Sequence, residues 1–455
     1  MRVLLVRPGY ENLFANINIV NVEPLELEYL YTAAKEAGHD CLIYDAVIQR
    51  TGIHKVLKEY NPDIVAVTGY ITHRDVMIGY AKQAKEHNPA VQVIMGGVHA
   101  ELNYHDFYVP AVDFIVHSGG IVPFREIITL PVSGKKLGDI KGICYRSGDS
   151  SWIVNERSYI NPDDLPIPDR SFFYANRQHF RYINLSPCAV VKAAYSCPHR
   201  CNFCYCCLLN NGEYVCRNVA RVVEEIAGIN CENIWIVDDT FYTDRQKVQE
   251  FARLLLQQGI KKNFILYYRA DFIADNEEVI ITLKEAGLKV VLVGLESFDD
   301  DILSDYNKLT SKAINERCLE ILRKHEIECT GLFIVDIDAT KKDFKKLRDY
   351  VKKHQLMVAT AAILTPLPGT SQYEKYQQRI NTKNPQHWDF LHLVAEPGSM
   401  GKLQFYYEFY KFYIILLLSN KKSKYLDINY LQHIKDLAKA YMRELTKRLK
   451  QQQNK

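Results

Sequence analysis

Three cysteines lie close together in the run Cys197-Pro-His-Arg-Cys201-Asn-Phe-Cys204-Tyr, which has CxxxCxxC spacing. An apolar stretch, Val190–Ala194, precedes them and is predicted to be a strand, so the cysteines fall on a tight loop after it. Thiolates are soft ligands that select iron–sulfur clusters or zinc. A [4Fe–4S] cluster held by three cysteines keeps one iron open to a molecule that is not protein. The spacing predicts such a cluster as the reaction centre, with Cys197, Cys201 and Cys204 as its metal ligands.

Two other interpretations of these thiols stay open. Cysteines are common small buried residues, and a zinc knuckle or a redox pair is conceivable because further cysteines crowd the region, at Cys188, Cys206, Cys207 and Cys216. A closed zinc site needs a fourth ligand at paired spacing, and neither a second CxxC nor an HxxxH follows.

Downstream, short apolar runs alternate with helical stretches, which is typical of βα units and a parallel sheet. The predicted strands are 233–237, 264–268, 289–293, 329–335 and 358–364, which with the strand before the cysteines makes six. Polar residues follow these strands, namely Asp238-Asp239, Arg269 with Asp271, Glu296 within Gly294-Leu-Glu-Ser297, Asp336, and the turn Thr365-Pro366 to Thr370. One acidic residue at a strand end often only caps the next helix. Five successive strand ends of this kind favour a site.

The cysteine motif, with an aromatic residue before its third cysteine and a tyrosine after it, resembles the signature of the radical S-adenosylmethionine (SAM) enzymes. The resemblance implies a (βα)6 partial TIM barrel whose strand ends face the active site, and a free iron that chelates SAM. It also implies that Asp238 or Asp239 contacts the SAM amino group, that Glu296 lies near the ribose, and that Arg269 binds the SAM carboxylate or the substrate. The remaining cofactor-binding residues expected here are Phe203, Tyr205, Gly294, Ser297 and Pro366.

The first part of the chain reads as a separate βα unit. Predicted strands cover 1–9, 40–45, 63–69, 91–97 and 113–120, and predicted helices cover 24–38 and about 76–87. This alternation predicts a doubly wound sheet. Glycines end three of its strands, where bare backbone admits a ligand at the carboxyl edge; they are Gly69, Gly96, Gly97, Gly119 and Gly120. A GxGxxG or Walker pattern is absent from the sequence, so a dinucleotide or nucleoside triphosphate site is not indicated.

This unit resembles the cobalamin-binding domain that precedes the barrel in B12-dependent radical SAM enzymes. The resemblance rests on the opening strand-proline turn, the helix 24–38, Gly-Gly-Val-His-Ala100 and the linker 157–170, and with the barrel it covers about residues 1–375. A DxHxxG motif is absent, so cobalt receives no histidine from that motif. His73 or Arg74 is then placed to approach the metal, and His99 is expected to contact the cofactor. Val116-His-Ser-Gly-Gly stands where the family usually shows a Gly-Glu-Gly-Glu run.

The sequence therefore predicts an α/β protein with four parts. They are a Rossmann-like cobalamin-binding domain (1–130), a linker (131–185), a radical SAM partial barrel (186–375) and a C-terminal helical region (376–455). In this last region the apolar run 405–419 is interpreted as a buried helix on the barrel, with an interfacial membrane helix or an apolar substrate wall as alternatives. The tail 421–455 reads as a basic segment that favours helix.

Composition agrees with this organisation. The 455 residues include 57 Lys and Arg against 54 Asp and Glu, a balance that gives no sign of nucleic-acid binding. No secretory leader opens the chain, and twelve cysteines without a leader favour a reducing cytoplasm and metal binding. Membrane association is not expected.

The resemblance implies a cobalamin-dependent radical SAM methyltransferase that acts on an unactivated carbon of a small-molecule or peptide substrate. One SAM would methylate cob(I)alamin, and a second would yield a 5′-deoxyadenosyl radical that activates the substrate carbon for methyl transfer. An external donor such as flavodoxin or ferredoxin would supply electrons. A second interpretation keeps the cofactors without methyl transfer, in a rearrangement, cyclisation or oxidation. A third is a non-catalytic cobalamin- or SAM-binding protein, which would not need an open iron.

Overall fold

The computed structural model describes residues 1–9, 19–49, 51–148 and 151–419, with side chains as far as Leu416. The strands in chain order are β1 (Arg2–Arg7), β2 (Val20–Asn21), β3 (Asp40–Asp45), β4 (Ile64–Thr68), β5 (Gln92–Gly96), β6 (Phe114–Val116), β7 (Ile143–Arg146), β8 (Trp152–Val154), β9 (Arg181–Tyr182), β10 (Cys188–Val191), β11 (Ala194–Tyr195), β12 (Val215–Cys216), β13 (Asn233–Ile236), β14 (Asn263–Arg269), β15 (Leu288–Glu296), β16 (Glu328–Val335) and β17 (Val358–Ile363).

The α-helices in chain order are α1 (Leu25–Glu36), α2 (Ile53–Tyr60), α3 (Arg74–His87), α4 (Val98–Asn103), α5 (Ile121–Ser133), α6 (Ser171–Asn176), α7 (Val219–Gly228), α8 (Arg245–Gln257), α9 (Ala270–Asp275), α10 (Glu277–Glu285), α11 (Asp300–Asp305), α12 (Lys312–Lys324), α13 (Lys341–Lys353), α14 (Ser371–Tyr376) and α15 (Lys402–Ser419). Short 3₁₀ turns lie at Ile71–His73, Tyr104–Phe107, Leu137–Asp139, Pro162–Asp164, Arg177–His179, Cys206–Gly212, Gln377–Arg379 and Pro385–His387.

The first sheet has the strand order β3-β1-β4-β5-β6-β7-β8 over the described residues. Its first five strands pair in parallel, and β7 and β8 add to the edge in antiparallel fashion. The inner strands are apolar on both faces, as covered parallel strands require, and Val3 to Val6 are fully buried. The predicted doubly wound sheet is confirmed.

One part of the expected domain division is wrong. Residues 131–185 were predicted to be a linker, but they contain β7 and β8, which belong to the first sheet. The two strands are four and three residues long and lie at the sheet edge. Edge strands this short carry little apolar patterning, so no clear hydrophobic period marks them.

The second sheet joins β10, β13, β14, β15, β16 and β17 in that order, with all neighbours parallel. The order is linear, so the sheet forms an open (βα)6 partial barrel, as predicted. Helices α7, α8, α10, α12 and α13 bury their apolar faces on it in one continuous core. Gly287 allows the tight entry into β15, because its φ is +114° and a Cβ there would lie 2.1 Å from the carbonyl oxygen of Lys262.

A buried ion-pair network fixes the two domains to each other. The Arg170 guanidinium donates to Glu225 on α7 at 2.6 Å and also to Glu23, which precedes α1. All three side chains are at most 6% exposed. Since Arg170 is a counter-charge shared by a carboxylate of each part, it ties the first domain to the barrel, and Arg217 adds a second pair to Glu225 at 2.6 Å.

The C-terminal helix α15 packs on the barrel, as predicted for the run 405–419. Phe405 and Phe409 are fully buried, and Phe405 meets Phe344 of α13 edge-on at 5.3 Å. Glu408, which interrupts the apolar run, pairs with Arg348 at 2.9 Å. No described helix is both long and apolar enough to cross a membrane. The predicted basic tail lies outside the described residues.

Candidate active site

The cysteine loop begins where β10 ends, and a carboxylate shapes its entry. Asp238, at the end of the neighbouring strand β13, accepts a hydrogen bond from the N–H of Ala193 at 2.8 Å. This contact turns the backbone after Val191, so the predicted strand 190–194 is divided between β10 and the separate ribbon strand β11. Asp238 is 2% exposed, and burial raises its pKa to about 7.

The structure places the three predicted ligands on one loop after β10, where the N–H of Cys204 donates to the carbonyl of Cys201 at 3.1 Å. Burial raises the pKa of Cys197 to about 11, and the nearby Cys204 and Cys201 thiols add to the rise. A hydrogen bond from Cys206 lowers the pKa of Cys204 despite its burial. Cys201 is 8% exposed, and the other two are partly buried. The three thiols therefore share one electrostatic environment at the barrel rim.

The described residues form no ready-made site for a single ion. No three His, Cys, Asp or Glu side chains among them converge closely enough to hold one. In a four-iron cluster each cysteine binds a different iron, so its thiolates stand farther apart than the ligands of one ion. Three thiolates on one loop are the ligand type and number that the predicted cluster needs.

Asp239, beside Asp238, has the free acceptor that an ammonium ligand needs. The Oδ2 atoms of both aspartates are buried and have no hydrogen-bond partner. Asp238 is otherwise engaged by the backbone at Ala193. Of the two residues proposed to contact the SAM amino group, Asp239 thus has the more available carboxylate.

Glu296, at the end of β15, is paired with a lysine that sequence reasoning missed. Its Oε1 lies 2.7 Å from Lys308 Nζ, and both residues are less than a tenth exposed. Burial alone would lower the pKa of Lys308, but the charge of Glu296 raises it. Gly294 leaves room for this pair, because a Cβ there would lie 2.5 Å from Glu296 Oε1. Lys308 sits in a loop without a motif, so only the fold reveals its position.

Arg269 ends β14 and faces the cluster loop. Its Nε and Nη2 donate to Asp271 at 3.0 Å and 2.7 Å, and Nη2 also donates to the carbonyl oxygen of Lys308 at 2.5 Å. Its Nη1 lies 3.9 Å from Cys201 Sγ. Asp271 and the Lys308 carbonyl thus hold the guanidinium by Nε and Nη2, and its Nη1 is directed at Cys201.

The other predicted barrel residues lie around this rim in structural contacts. Phe203 packs edge-on against Tyr306 with ring centres 5.2 Å apart. Ser297 Oγ accepts the N–H of Asp299 at 3.1 Å, and the carbonyl of Pro366 accepts from Trp388 Nε1 at 3.1 Å. Tyr205 joins an apolar cluster with Leu367.

The glycines of the first sheet differ from expectation. Free space exists at Gly120, where a Cβ would meet nothing within 4 Å, and at Gly96, where the nearest atom is Val116 Cβ at 4.0 Å. A Cβ on Gly97 would lie 2.6 Å from the backbone nitrogen of Gly69, and a Cβ on Gly69 would lie 2.8 Å from Met77 Sδ. Local packing therefore requires glycine at these two positions, whether or not a ligand lies beside their backbone.

The space beside Gly119 is occupied in the same way, since a Cβ there would lie 2.6 Å from Ser158.

The two histidines predicted to approach the cofactor make hydrogen bonds within the protein. His73 Nδ1 accepts the N–H of Tyr70 at 3.1 Å, and burial lowers its pKa to about 4, so the ring is neutral and Nε2 carries its proton. His99 Nε2 donates to Asp106 at 2.8 Å. The Nδ1 lone pair of His73 is therefore already used by the backbone, and the Nε2 edge of His99 is occupied by Asp106.

The carboxyl edges of the two sheets face each other across a cleft. Tyr70, just after β4, is 52% exposed, yet desolvation raises its pKa to about 12, with contributions from Glu26, Asp239 and Cys206. The two edges also touch directly, because Glu101 on α4 accepts the N–H of Asn210 at 2.6 Å and Ile71 packs in one apolar cluster with Tyr205. Tyr267 of β14 faces the same groups. Sequence reasoning missed Tyr70, Tyr267 and Lys192, the last of which the charges of Asp239 and Asp238 stabilise.

Comparisons with known proteins agree with this arrangement. The family model of the B12 binding domain matches residues 20–128, and that of the Radical SAM superfamily matches residues 191–351. The chain is a radical SAM protein with a B12-binding domain. These are the domains that contribute Tyr70 and Asp239 to the cleft, so the cofactors predicted from the sequence, a [4Fe–4S] cluster, SAM and cobalamin, are those of its family.

Relatives extend over most of this radical SAM protein. An uncharacterized methyltransferase of Pyrococcus horikoshii is 28% identical, over 82% of this chain and 83% of its own length. The hopanoid C-3 methylase of Methylococcus capsulatus is 24% identical, over 90% of this chain and 79% of its own length.

A solved structure shares the fold. The cobalamin-dependent SAM radical enzyme OxsB, solved with aqua-cobalamin and SAM, superimposes with a TM-score of 0.67 at 18% identity and covers 87% of this chain. This chain spans 57% of the OxsB chain. At this identity the match establishes the two-domain architecture.

Proposed function

We propose that this protein is a cobalamin-dependent methyltransferase that adds a methyl group to an unactivated carbon of a small molecule. The observation that carries the proposal is the cleft. Glu101 on α4 of the B12-binding domain accepts the N–H of Asn210, beyond the cysteine loop, at 2.6 Å, and the charge of Asp239 acts on Tyr70, so groups bound by the two domains are expected to meet there. When bound, the cluster and the corrin supply the electron and the methyl group, and the protein sets distance and excludes water.

The residues of the rim have distinct roles in this proposal. The buried, unpartnered Oδ2 of Asp239 accepts an N–H from the SAM ammonium. Glu296 accepts from the ribose hydroxyls while Lys308 fixes its carboxylate at 2.7 Å. The aromatic side chains of Tyr70 and Tyr267 form walls of the cleft, where a substrate carbon is kept from water.

Two further parts of the proposal concern the setting of the enzyme. Reduction of the cluster takes one electron, which in this proposal comes from an external donor such as flavodoxin or ferredoxin. All twelve cysteines are unpaired, which supports a reducing compartment and hence a cytoplasmic location.

Product analysis tests the proposal. The anaerobically reconstituted protein is incubated with hydroxocobalamin, a chemical reductant, methyl-deuterated SAM and a metabolite extract of the organism that encodes it. We expect a metabolite with a deuterated methyl group, together with 5′-deoxyadenosine and S-adenosylhomocysteine. Consumption of a metabolite with 5′-deoxyadenosine as the only co-product would replace methyl transfer by another radical outcome. The absence of both co-products would contradict enzymatic activity.

A further inference from the structure

Arg269 is the side-chain donor that faces a cluster cysteine from outside the cysteine loop. Its Nη1 lies 3.9 Å from Cys201 Sγ. Cys204, in contrast, accepts at 3.4 Å from the backbone N–H of Cys206 in its own loop. Cys201 is therefore linked to barrel strand β14 by a charged donor, whereas Cys204 accepts its hydrogen bond from a neighbouring residue of its own loop.

A clamp holds the guanidinium in this orientation. Asp271 accepts from both Nε and Nη2, and the carbonyl of Lys308 accepts from Nη2. Arg269 is 8% exposed, so its charge is poorly screened by water. A paired guanidinium with fixed direction has little freedom to swing toward a carboxylate in the cleft.

We infer that Arg269 is a positioning residue for the cluster: it donates to the Cys201 thiolate and makes the cluster easier to reduce, and it does not hold the SAM carboxylate. The inference rests on the proposed cluster at the three cysteines. Reduction adds negative charge to the cluster, so a nearby cation and a hydrogen bond to sulfur stabilise the reduced state and raise the reduction potential. This replaces the role as a SAM-carboxylate or substrate partner that the family resemblance implied.

The direct test compares reduction potential with SAM affinity. Arg269→Gln removes the charge and keeps a shorter donor, and Arg245→Gln, an exposed arginine paired with Glu278, is the matched control. Each reconstituted protein is titrated potentiometrically by electron paramagnetic resonance without SAM, and SAM binding is measured separately by equilibrium dialysis. We expect iron and sulfide contents equal to wild type, a cluster at least tenfold harder to reduce in Arg269→Gln, which is a shift of about 59 mV to lower potential for one electron, and SAM affinity within twofold.

An unchanged potential would overturn the inference. If SAM affinity also falls tenfold, Arg269 is a ligand of the SAM carboxylate after all. Arg269→Lys provides a second variant in case Arg269→Gln does not retain its cluster, because it keeps the charge and gives up the two-point contact with Asp271 that directs the donor. It should lower the potential by a smaller amount, and an unchanged potential there would again contradict the inference. If the wild-type protein and the Arg245→Gln control take up no cluster, the failure is that of the proposed function.

Discussion

Asp238 Oδ1 accepts the backbone N–H of Ala193 at 2.8 Å and so joins the end of β13 to the turn that leads into the cysteine loop. The contact positions the cluster ligands through backbone rather than through the ligands themselves. Its second oxygen has no partner although it is buried. Asp238 thus supports the backbone of the site through Oδ1. Its position next to Asp239 in the sequence does not reveal this structural role.

Substitution of Asp238 should change how stability depends on pH. Burial raises its pKa from 3.8 to about 7. A carboxyl whose pKa is higher in the folded state binds its proton more tightly there, so the free energy of unfolding falls as pH rises between about 4 and 7. Asp238→Asn cannot titrate, so the free energy of unfolding of the variant minus that of wild type should increase over this range. Urea titrations of the metal-free protein at several pH values measure it, and parallel curves for the two proteins would contradict the account.

Cys197, Cys201 and Cys204 should be the only protein ligands of the cluster. Replacement of all three with alanine is expected to abolish iron and sulfide after reconstitution, while circular dichroism remains that of a folded protein. Cys207→Ala is the matched control, because this buried thiol lies three residues beyond Cys204 and should leave iron content unchanged. Iron that survives in the triple variant, or a cluster that requires Cys206 or Cys207, would show the assignment to be wrong.

SAM affinity should depend on Glu296 and Asp239. Glu296→Gln preserves shape and keeps a neutral acceptor for Lys308, whereas alanine would remove that acceptor as well; either variant leaves the buried Lys308 ammonium without its counter-charge, a loss of up to about 3–5 kcal/mol in stability. Loss of a charged hydrogen bond costs about 1.5–3 kcal/mol, so each of Glu296→Gln and Asp239→Asn should weaken SAM binding roughly tenfold or more. Calorimetric titration provides the measurement, with the exposed Glu278→Gln as control. Unchanged affinity in either variant would remove that residue from the SAM site.

The glycines of the first domain should separate binding from folding. A Cβ on Gly97 would clash with Thr68 and with the Gly69 backbone at a φ of +92°, so Gly97→Ala should destabilise the domain whether or not cobalamin is present. Gly96 has open space, so Gly96→Leu should keep the unfolding midpoint and weaken hydroxocobalamin uptake. Thermal unfolding and absorption titration measure the two effects. Full cobalamin affinity in a folded Gly96→Leu protein would place the corrin elsewhere.

Much of the fold was predictable because its signals are local. The alternation of short apolar runs with helical stretches marks β13 to β17, and the spacing of Cys197, Cys201 and Cys204 is itself the motif. The missing elements depend on distant partners. Lys308 becomes informative only when the loop after α11 returns to Glu296, and the crowding at Gly97 arises from Gly69, which is 28 positions away in the chain. Strands β7 and β8 are likewise defined by the sheet edge that they join rather than by their own sequence.

The visible spectrum of the anaerobically purified and reconstituted protein, with its iron, sulfide and corrinoid contents, shows whether one chain holds both cofactors. We expect that one preparation carries both a [4Fe–4S] cluster and one cobalamin per chain. We also expect that the variant without Cys197, Cys201 and Cys204 loses the cluster bands and keeps those of the corrin. A folded wild-type protein that binds the cluster but takes up no hydroxocobalamin at micromolar concentration, or the reverse, would contradict this expectation.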